Sequence, residues 1–214
     1  MYTLIIGNKN LSSWSLRPYL ALKAAKVAFT EIPVRLDQPE TRASIATFSP
    51  AGKVPVLKIE ENGKTQLVWD SLAICETIAE RHPEAKLWPT DGFARAEARS
   101  YAAEMHSGFV DVRQQLSMDF ARKLATPELS EATQKQIGRI TGAWDAALAK
   151  YQGDFLFGEF SVADCMYAPV VSRFLTFGIA LPAASAAYCA RVMALPAMQE
   201  WLAGAQKEVA DGWK

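Results

Sequence analysis

The chain has 214 residues, of which 50% are hydrophobic and 21% are charged, a composition that is typical of a folded protein with a sizeable core. Lysine plus arginine and aspartate plus glutamate both number 23, so the formal net charge is zero and no overall positive field favours nucleic acid or a membrane as partner. The three cysteines lie far apart without histidines at metal-ligand spacing, which predicts a cytoplasmic, reducing location and no metal site.

The first part of the chain predicts a mixed sheet with helices. Strands are predicted over residues 2–6, 29–35, 54–59 and 66–68, and helices over residues 16–26 and 71–81. Pro18 fits a helix only in the first turn, so we expect the first helix to begin near residues 13–15. Asn62-Gly63 suits a hairpin turn between the last two strands. The order β-α-β, connector, β-β-α predicts an α/β thioredoxin-like N-terminal domain over residues 1–82.

The remainder of the chain predicts helices only. Residues 83–92 contain two prolines and a glycine that break the periodicity, so we interpret them as a linker. Long helices are predicted over residues 94–124, 131–151 and 162–177, with shorter ones after them. Residues 93–214 are therefore expected to form an all-α C-terminal helical bundle domain.

Lys53-Val54-Pro55 places a proline directly before a strand, where its missing N–H would be a defect. A cis peptide bond would turn the backbone N–H and C=O of Val54 outward, ready to pair with an extended peptide ligand. An ordinary trans turn proline is the competing interpretation. The motif alone leaves both open.

Asp70-Ser71 stands at the start of the second predicted helix. The two side chains could simply cap the helix by accepting from its free N–H groups. The same geometry could bind a ligand carboxylate at the N–H groups and the Ser71 hydroxyl, while Asp70 pairs with an amino group. An α-amino acid head group would match that pattern.

Four short segments occur in a fixed order over essentially the whole chain. They are Ser12-Ser13-Trp14-Ser15-Leu16-Arg17, Lys53-Val54-Pro55, Asp70-Ser71-Leu72-Ala73-Ile74 and Phe160-Ser161-Val162-Ala163-Asp164. Together they resemble the glutathione S-transferase superfamily, and the first segment is most similar to the serine-type, zeta-like bacterial branch. Trp14 replaces the cysteine of that branch's Ser-Ser-Cys-Ser segment. The resemblance implies the cytosolic glutathione S-transferase architecture, glutathione as co-substrate without a metal, and a homodimer.

The resemblance also implies roles for individual residues. Val54 would pair with the cysteinyl backbone of glutathione beside Pro55, and Lys53 would approach the glycyl carboxylate. Asp70 and Ser71 would hold the γ-glutamyl end. Ser161 and Asp164 match a capping box in the helical half, which concerns folding and not catalysis.

The serine loop is the predicted place of thiol activation. A free thiol of pKa about 8.5 is only a few per cent thiolate at neutral pH, and a hydroxyl donating to the sulfur would favour the thiolate. We rank Ser12 first for this role and Ser13 as its close competitor, because a shift of one residue would exchange their directions. Helix capping by either serine is the alternative.

The long helix after the linker is expected to line the second-substrate pocket. His106, Phe109 and Arg113 are spaced by three and four residues, so they could project together and receive an apolar electrophile with an anionic group. Phe109 could equally be core, Arg113 could bridge to an interface carboxylate, and for His106 we favour bonding to a backbone carbonyl. Trp14 is expected to form a pocket wall, with core packing as its alternative.

The leading prediction is a detoxifying glutathione transferase that activates the glutathione thiol for attack on a small hydrophobic electrophile. One alternative is a zeta-like cis–trans isomerase similar to maleylacetoacetate isomerase, which the absence of the cysteine at Trp14 weakens. Another is a non-catalytic glutathione-binding or dimerisation module.

Overall fold

The computed structural model describes residues 1–36 and 38–213, and within these residues four strands form a single sheet. The strands are β1 (Tyr2–Ile6), β2 (Phe29–Pro33), β3 (Val56–Glu61) and β4 (Lys64–Val68), in the order β2-β1-β3-β4. β1 is parallel to β2 and antiparallel to β3, which forms a hairpin with β4. Asn62 and Gly63 have φ values of 51° and 73°, as the predicted turn requires. The mixed sheet is the one predicted.

Both faces of the sheet are covered by helices. The helices of this half are α1 (Ser13–Ala24), α2 (Thr41–Ala46) and α3 (Ser71–Arg81). Side chains alternate along β1, so Leu4 and Ile6 belong to the large core with α1 and α3, whereas Ile5 packs with Ile45 of α2 on the other face. α2 was not predicted, because its six residues are too few to show a helical period.

The regular elements of the second half are helices, joined by irregular segments that contain two isolated β-bridges. Its helices are α4 (Gly92–Ser107), α5 (Val110–Gln115), α6 (Glu131–Tyr151), α7 (Val162–Thr176), α8 (Ala183–Ala194) and α9 (Pro196–Ala210). α7 is buried along almost its whole length and contacts α1, α4 and α8, so it joins the two halves. The predicted fold class is confirmed, while the exact domain limits at residues 82 and 93 stay a prediction. Among the described helices, none has both the length and the apolar character that crossing a membrane requires.

The prediction of one helix over residues 94–124 is wrong. α4 ends at Ser107, and α5 is a separate short helix after it. Gly108 is extended, and a Cβ on it would lie 2.7 Å from the backbone oxygen of Glu104. Phe109 then adopts a left-handed conformation with φ of 56°. The chain therefore turns between the two helices, and the assumed common face of His106, Phe109 and Arg113 does not exist.

The start of α1 agrees with its prediction, but Pro18 does not. The helix begins at Ser13, which places Pro18 in the second turn and not in the first. A proline there removes one backbone hydrogen bond of the helix. Burial of most of α1 against the core supplies the compensation.

Candidate active site

A cleft of about 210 Å³ lies where the sheet half meets α4. It is formed by α1, the segment before β3, the N-terminus of α3 and one side chain of α4. The lining residues are Trp14, Ala51, Lys53, Val54, Pro55, Trp69, Asp70, Ser71 and His106. Tertiary folding thus brings together all five predicted glutathione-binding residues and two of the four predicted pocket residues.

The Val54–Pro55 peptide bond is cis, as predicted. Pro55 is buried, Val54 is half-buried and Lys53 is exposed at the cleft rim. Within the described residues, neither the backbone N–H nor the C=O of Val54 has a hydrogen-bond partner. Both groups of Val54 are therefore available for a peptide-like ligand.

Asp70 caps α3, and Ser71 begins it. The Asp70 Oδ1 accepts a hydrogen bond from the Leu72 N–H at 2.9 Å, so the capping interpretation of Asp70 is confirmed. Ser71 is 1% exposed, yet its hydroxyl has no hydrogen-bond partner in the part of the chain that the structure describes. A buried hydroxyl without a partner at a helix N-terminus is a group that a ligand can satisfy.

The His106 side chain reaches from α4 to the same carboxylate. Its Nε2 lies 3.1 Å from the Asp70 Oδ2, and its ring meets the Trp14 indole edge-on at 5.3 Å between centroids. The expected bond from His106 to a backbone carbonyl is wrong, because the partner of its Nε2 is the Asp70 carboxylate. The His106 Nδ1 is buried and has no partner among the described residues.

The serine loop forms a small hydrogen-bond chain. Ser12 caps α1: its Oγ accepts from the Ser15 N–H at 3.3 Å and lies 2.7 Å from the Ser15 Oγ. The Ser15 Oγ in turn accepts from the Gly7 N–H at 3.1 Å. The Ser13 hydroxyl is nearly buried, and neither Ser12 nor Ser13 is among the residues that line the cleft. Capping by Ser12 is confirmed, whereas the catalytic roles of both serines stay predictions.

Of the two remaining predicted pocket residues, Phe109 is buried in the core, whereas Arg113 reaches the Trp14 indole that His106 also contacts. Phe109 is 7% exposed and belongs to the large core, so its alternative interpretation as core holds. The Arg113 Cζ lies 5.4 Å from the centroid of the Trp14 ring. Arg113 forms no ion pair within the described residues, and its alternative interpretation as a bridge to an interface carboxylate stays a prediction.

Sequence reasoning missed several residues of this region. Trp69 and Ala51 line the cleft, and Arg17 stacks on Trp14 at 4.1 Å. Trp69 directly precedes Asp70 in the chain, so the sequence could have indicated that it lines the cleft. Arg17 was visible only as part of a motif, because its burial depends on helices distant in the chain.

The fold and the cleft define a thioredoxin-like domain joined to a helical domain, with a polar site beside the cis proline. Models of the glutathione S-transferase N-terminal domain and C-terminal domain match residues 11–81 and 127–204. Maleylacetoacetate isomerase of Pseudomonas aeruginosa is 30% identical over 181 residues, 82% of this chain and 82% of the relative.

Solved structures agree with this assignment. A maleylacetoacetate isomerase of Anaeromyxobacter dehalogenans 2CP-1, with glutathione bound in its active site, has a TM-score of 0.70 at 27% identity and covers 96% of each chain. A glutathione transferase homologue of Burkholderia gl BGR1 has a TM-score of 0.73 at 24% identity, covering 96% of this chain and 98% of its own, and supports the fold. The chain belongs to the glutathione S-transferase family, and its relatives include zeta-like isomerases.

Proposed function

We propose that the cleft binds glutathione and that the protein is a glutathione transferase, which activates the thiol for attack on a small electrophile. One observation carries the proposal: the Val54 peptide groups and the buried Ser71 hydroxyl, which find no hydrogen-bond partner among the described residues, line one cleft together with Asp70. The backbone of an extended tripeptide would pair with the Val54 peptide groups, and its α-amino acid head would give the Ser71 hydroxyl a hydrogen-bond partner. The exposed Lys53 would attract the far carboxylate.

The serine chain supports a role for Ser12 in activating the thiol. Either atom can donate in the bond between the Ser12 and Ser15 hydroxyls, and the proposed role requires Ser15 to be the donor while its Oγ also accepts from the Gly7 N–H. The Ser12 Oγ then accepts from Ser15 twice, and its own proton is left for an external acceptor. A thiolate bound at the N-terminus of α1 would be that acceptor and would also benefit from the helix dipole.

The second substrate would contact Trp14 and His106 at the open side of the cleft. These are an aromatic face and an imidazole, which suit a small, mainly hydrophobic electrophile. We also propose that the protein is a homodimer and that it is located in the cytoplasm. Cys75, Cys165 and Cys189 are free and buried, which agrees with a reducing compartment.

The test is a titration of the bound glutathione thiol by its ultraviolet thiolate absorbance, in the wild type and in Ser12→Ala. We expect the wild-type protein to lower the thiol pKa, and Ser12→Ala to return it toward about 8.5, because the donor to sulfur is lost. Conjugation of a halogenated aromatic should fall about a hundredfold. Ser13→Ala tests the competing serine, and Ser100→Ala, on the exposed surface of α4, controls for loss of a hydroxyl.

Glutathione binding without a lowered thiol pKa in the wild type would leave only the binding-module alternative. A thiol pKa that follows Ser13 and not Ser12 would transfer the role to Ser13. No heat on mixing with glutathione would reject the site altogether.

The isomerase alternative is favoured by the similarity to the Pseudomonas aeruginosa maleylacetoacetate isomerase. Both reactions begin with thiolate addition, but an isomerase must also expel the thiolate after rotation about the former double bond. Assaying a maleyl compound beside halogenated aromatics, epoxides and peroxides separates the two. Isomerised product with glutathione released unchanged would select the isomerase.

A further inference from the structure

Trp69 is a side chain of the cleft that packing within the chain does not explain. It is 45% exposed, and it is the one exposed tryptophan among the six of the chain, all of which lie in the described residues. The other five each contact an aromatic ring or a cation, and they are Trp14, Trp88, Trp144, Trp201 and Trp213. Trp69 forms no such contact with any described residue, and its indole N–H has no partner there. A large ring left in water beside a cleft is typical of a ligand-binding surface.

The carboxylate of Asp70 follows Trp69 in the chain and lines the same cleft. One of its oxygens accepts from the Leu72 N–H, and the other lies 3.1 Å from the His106 Nε2. The Asp70 side chain is nevertheless 49% exposed, and each carboxylate oxygen can accept more than one hydrogen bond. Asp70 can therefore still pair with a cation that enters from the open side of the cleft, and such a cation would lie beside the Trp69 indole.

An indole face attracts cations, and tryptophan does so more strongly than the other aromatic side chains when the cation lies within about 6 Å of the ring. Elsewhere in the chain the same contact is made internally, since the Lys9 Nζ lies 5.3 Å from the centroid of the Trp201 ring. Lys53 also lines the cleft, but it makes no contact of this kind with Trp69 within the part of the chain that the structure describes. The Trp69 ring face is therefore left for a cation that a ligand brings.

We propose that the Trp69 indole and the Asp70 carboxylate together bind the α-ammonium group of the thiol peptide, and that the cleft thereby selects thiol peptides whose amino group is free and charged. The carboxylate supplies the opposite charge and hydrogen bonds, and the indole face covers another side of the ammonium. This inference rests on the proposed function, in which Asp70 pairs with the amino group of glutathione. A thiol peptide without that ammonium would leave the indole without its cation.

The binding test compares glutathione with glutaryl-cysteinyl-glycine, which is the same molecule with the ammonium replaced by hydrogen. Calorimetry should show that the wild type binds glutathione at least about tenfold more tightly than this desamino analogue. Trp69→Leu should reduce that preference about threefold to fivefold by weakening glutathione alone, because only glutathione carries the cation. Trp69→Phe keeps a ring face but no N–H donor, so it should retain part of the preference.

A matched control and a second readout separate ligand contact from packing. Trp213→Leu removes an indole that contacts a cation outside the cleft, the Arg35 guanidinium at 5.7 Å, and it should keep the full preference. In protein labelled with ¹⁵N-tryptophan, the Trp69 indole N–H signal is identified by its loss in Trp69→Phe. That signal should shift more with glutathione than with the desamino analogue. If Trp69→Leu does not fold, equal shifts with both ligands would reject the indole as an ammonium contact.

The two proposals fail in different ways. If glutathione binds the wild type but Trp69→Leu keeps the full preference, or weakens both ligands equally, the ammonium contact is wrong and the proposed function stands. Equal weakening together with dissociation of a dimer in sedimentation would assign the exposed indole to contact with a second subunit. If neither ligand binds the wild type, the proposed function fails and the ammonium contact fails with it.

Discussion

Asp70 binds two helices, α3 and α4, through the two oxygens of its carboxylate. One oxygen of its carboxylate caps α3, and the other is held by His106 from α4. A carboxylate held at both oxygens has a defined orientation toward the cleft. We therefore expect His106 to act as a positioning residue for the proposed amino-group contact of Asp70.

Replacing His106 tests this positioning. His106→Ala should weaken glutathione binding about threefold to tenfold, which corresponds to loss of a hydrogen bond of about 1 kcal/mol. His106→Gln can still donate to Asp70 and should recover most of the affinity. Calorimetry with glutathione measures both, and unchanged binding in His106→Ala would show that the cap alone orients Asp70.

At the scale of elements, the N-terminus of α7 shows how a helix is anchored in the core. Ser161 and Asp164 form the predicted capping box, which the structure confirms. The Asp164 carboxylate is fully buried and accepts from the Leu156 and Ser161 N–H groups, the Ser161 hydroxyl and the Tyr188 hydroxyl. Burial nevertheless raises the pKa of Asp164 to about 6.

Asp164→Asn should destabilise the protein by about 2 kcal/mol, since the amide would direct N–H donors at other donors. Because folding raises the pKa of Asp164, the protonated carboxyl stabilises the folded state. This stabilisation is complete below the unfolded pKa of about 3.9 and is lost as the pH rises through the folded pKa. The difference in unfolding free energy between wild type and Asp164→Asn should therefore be larger at about pH 4.5 than at about pH 7.

Urea unfolding of both proteins at the two pH values measures this difference. Ser161→Ala is the control, because it loses one donor but keeps the carboxylate, so the pH dependence should persist. A gap between wild type and Asp164→Asn that is independent of pH would contradict the raised pKa of Asp164.

At the scale of the whole molecule, the loop before Ser12 is held by the last helix. The Trp201 Nε1 of α9 donates to the Lys9 backbone oxygen at 2.7 Å, and Glu208 accepts from the Asn10 N–H at 3.1 Å. The Asn10 backbone and side-chain oxygens accept from the N–H groups of residues 120 and 121. The loop that presents the serines is thus positioned by the helical half.

Trp201→Phe should loosen this loop. The phenyl ring retains most of the packing, but the Lys9 oxygen loses its donor, so we expect turnover to fall about tenfold and the bound thiol pKa to rise.

Trp144→Phe is a matched control, because Trp144 is equally buried while its indole N–H has no partner among the described residues. Both variants shrink a buried ring, and Trp201→Phe should lose about 1 kcal/mol more because it also loses a hydrogen bond. Only Trp201→Phe should speed amide exchange at residues 8–12. Equal turnover in the two variants would show that the loop is rigid by itself.

The predictable elements were those whose pattern is local. α3 and α6 have the predicted bounds because capping residues and a helical period mark both ends. The break between α4 and α5 was missed, because one glycine in an otherwise helical pattern is often tolerated. At Gly108 the turn leaves no room for a Cβ beside the Glu104 backbone oxygen, a contact that the sequence pattern does not contain.

For the site, local motifs indicated Lys53, Val54 and Pro55 as well as Asp70 and Ser71, and the structure places all of them in one cleft. The sequence by itself determined the fold class and the family, because short motifs and hydrophobic periods are carried by neighbouring residues. Only the tertiary structure decided that Asp70 meets His106, that Arg17 is buried against Trp14 and that α9 holds the serine loop. Burial and hydrogen-bond partners depend on contacts between residues far apart in the chain, and no local pattern specifies them.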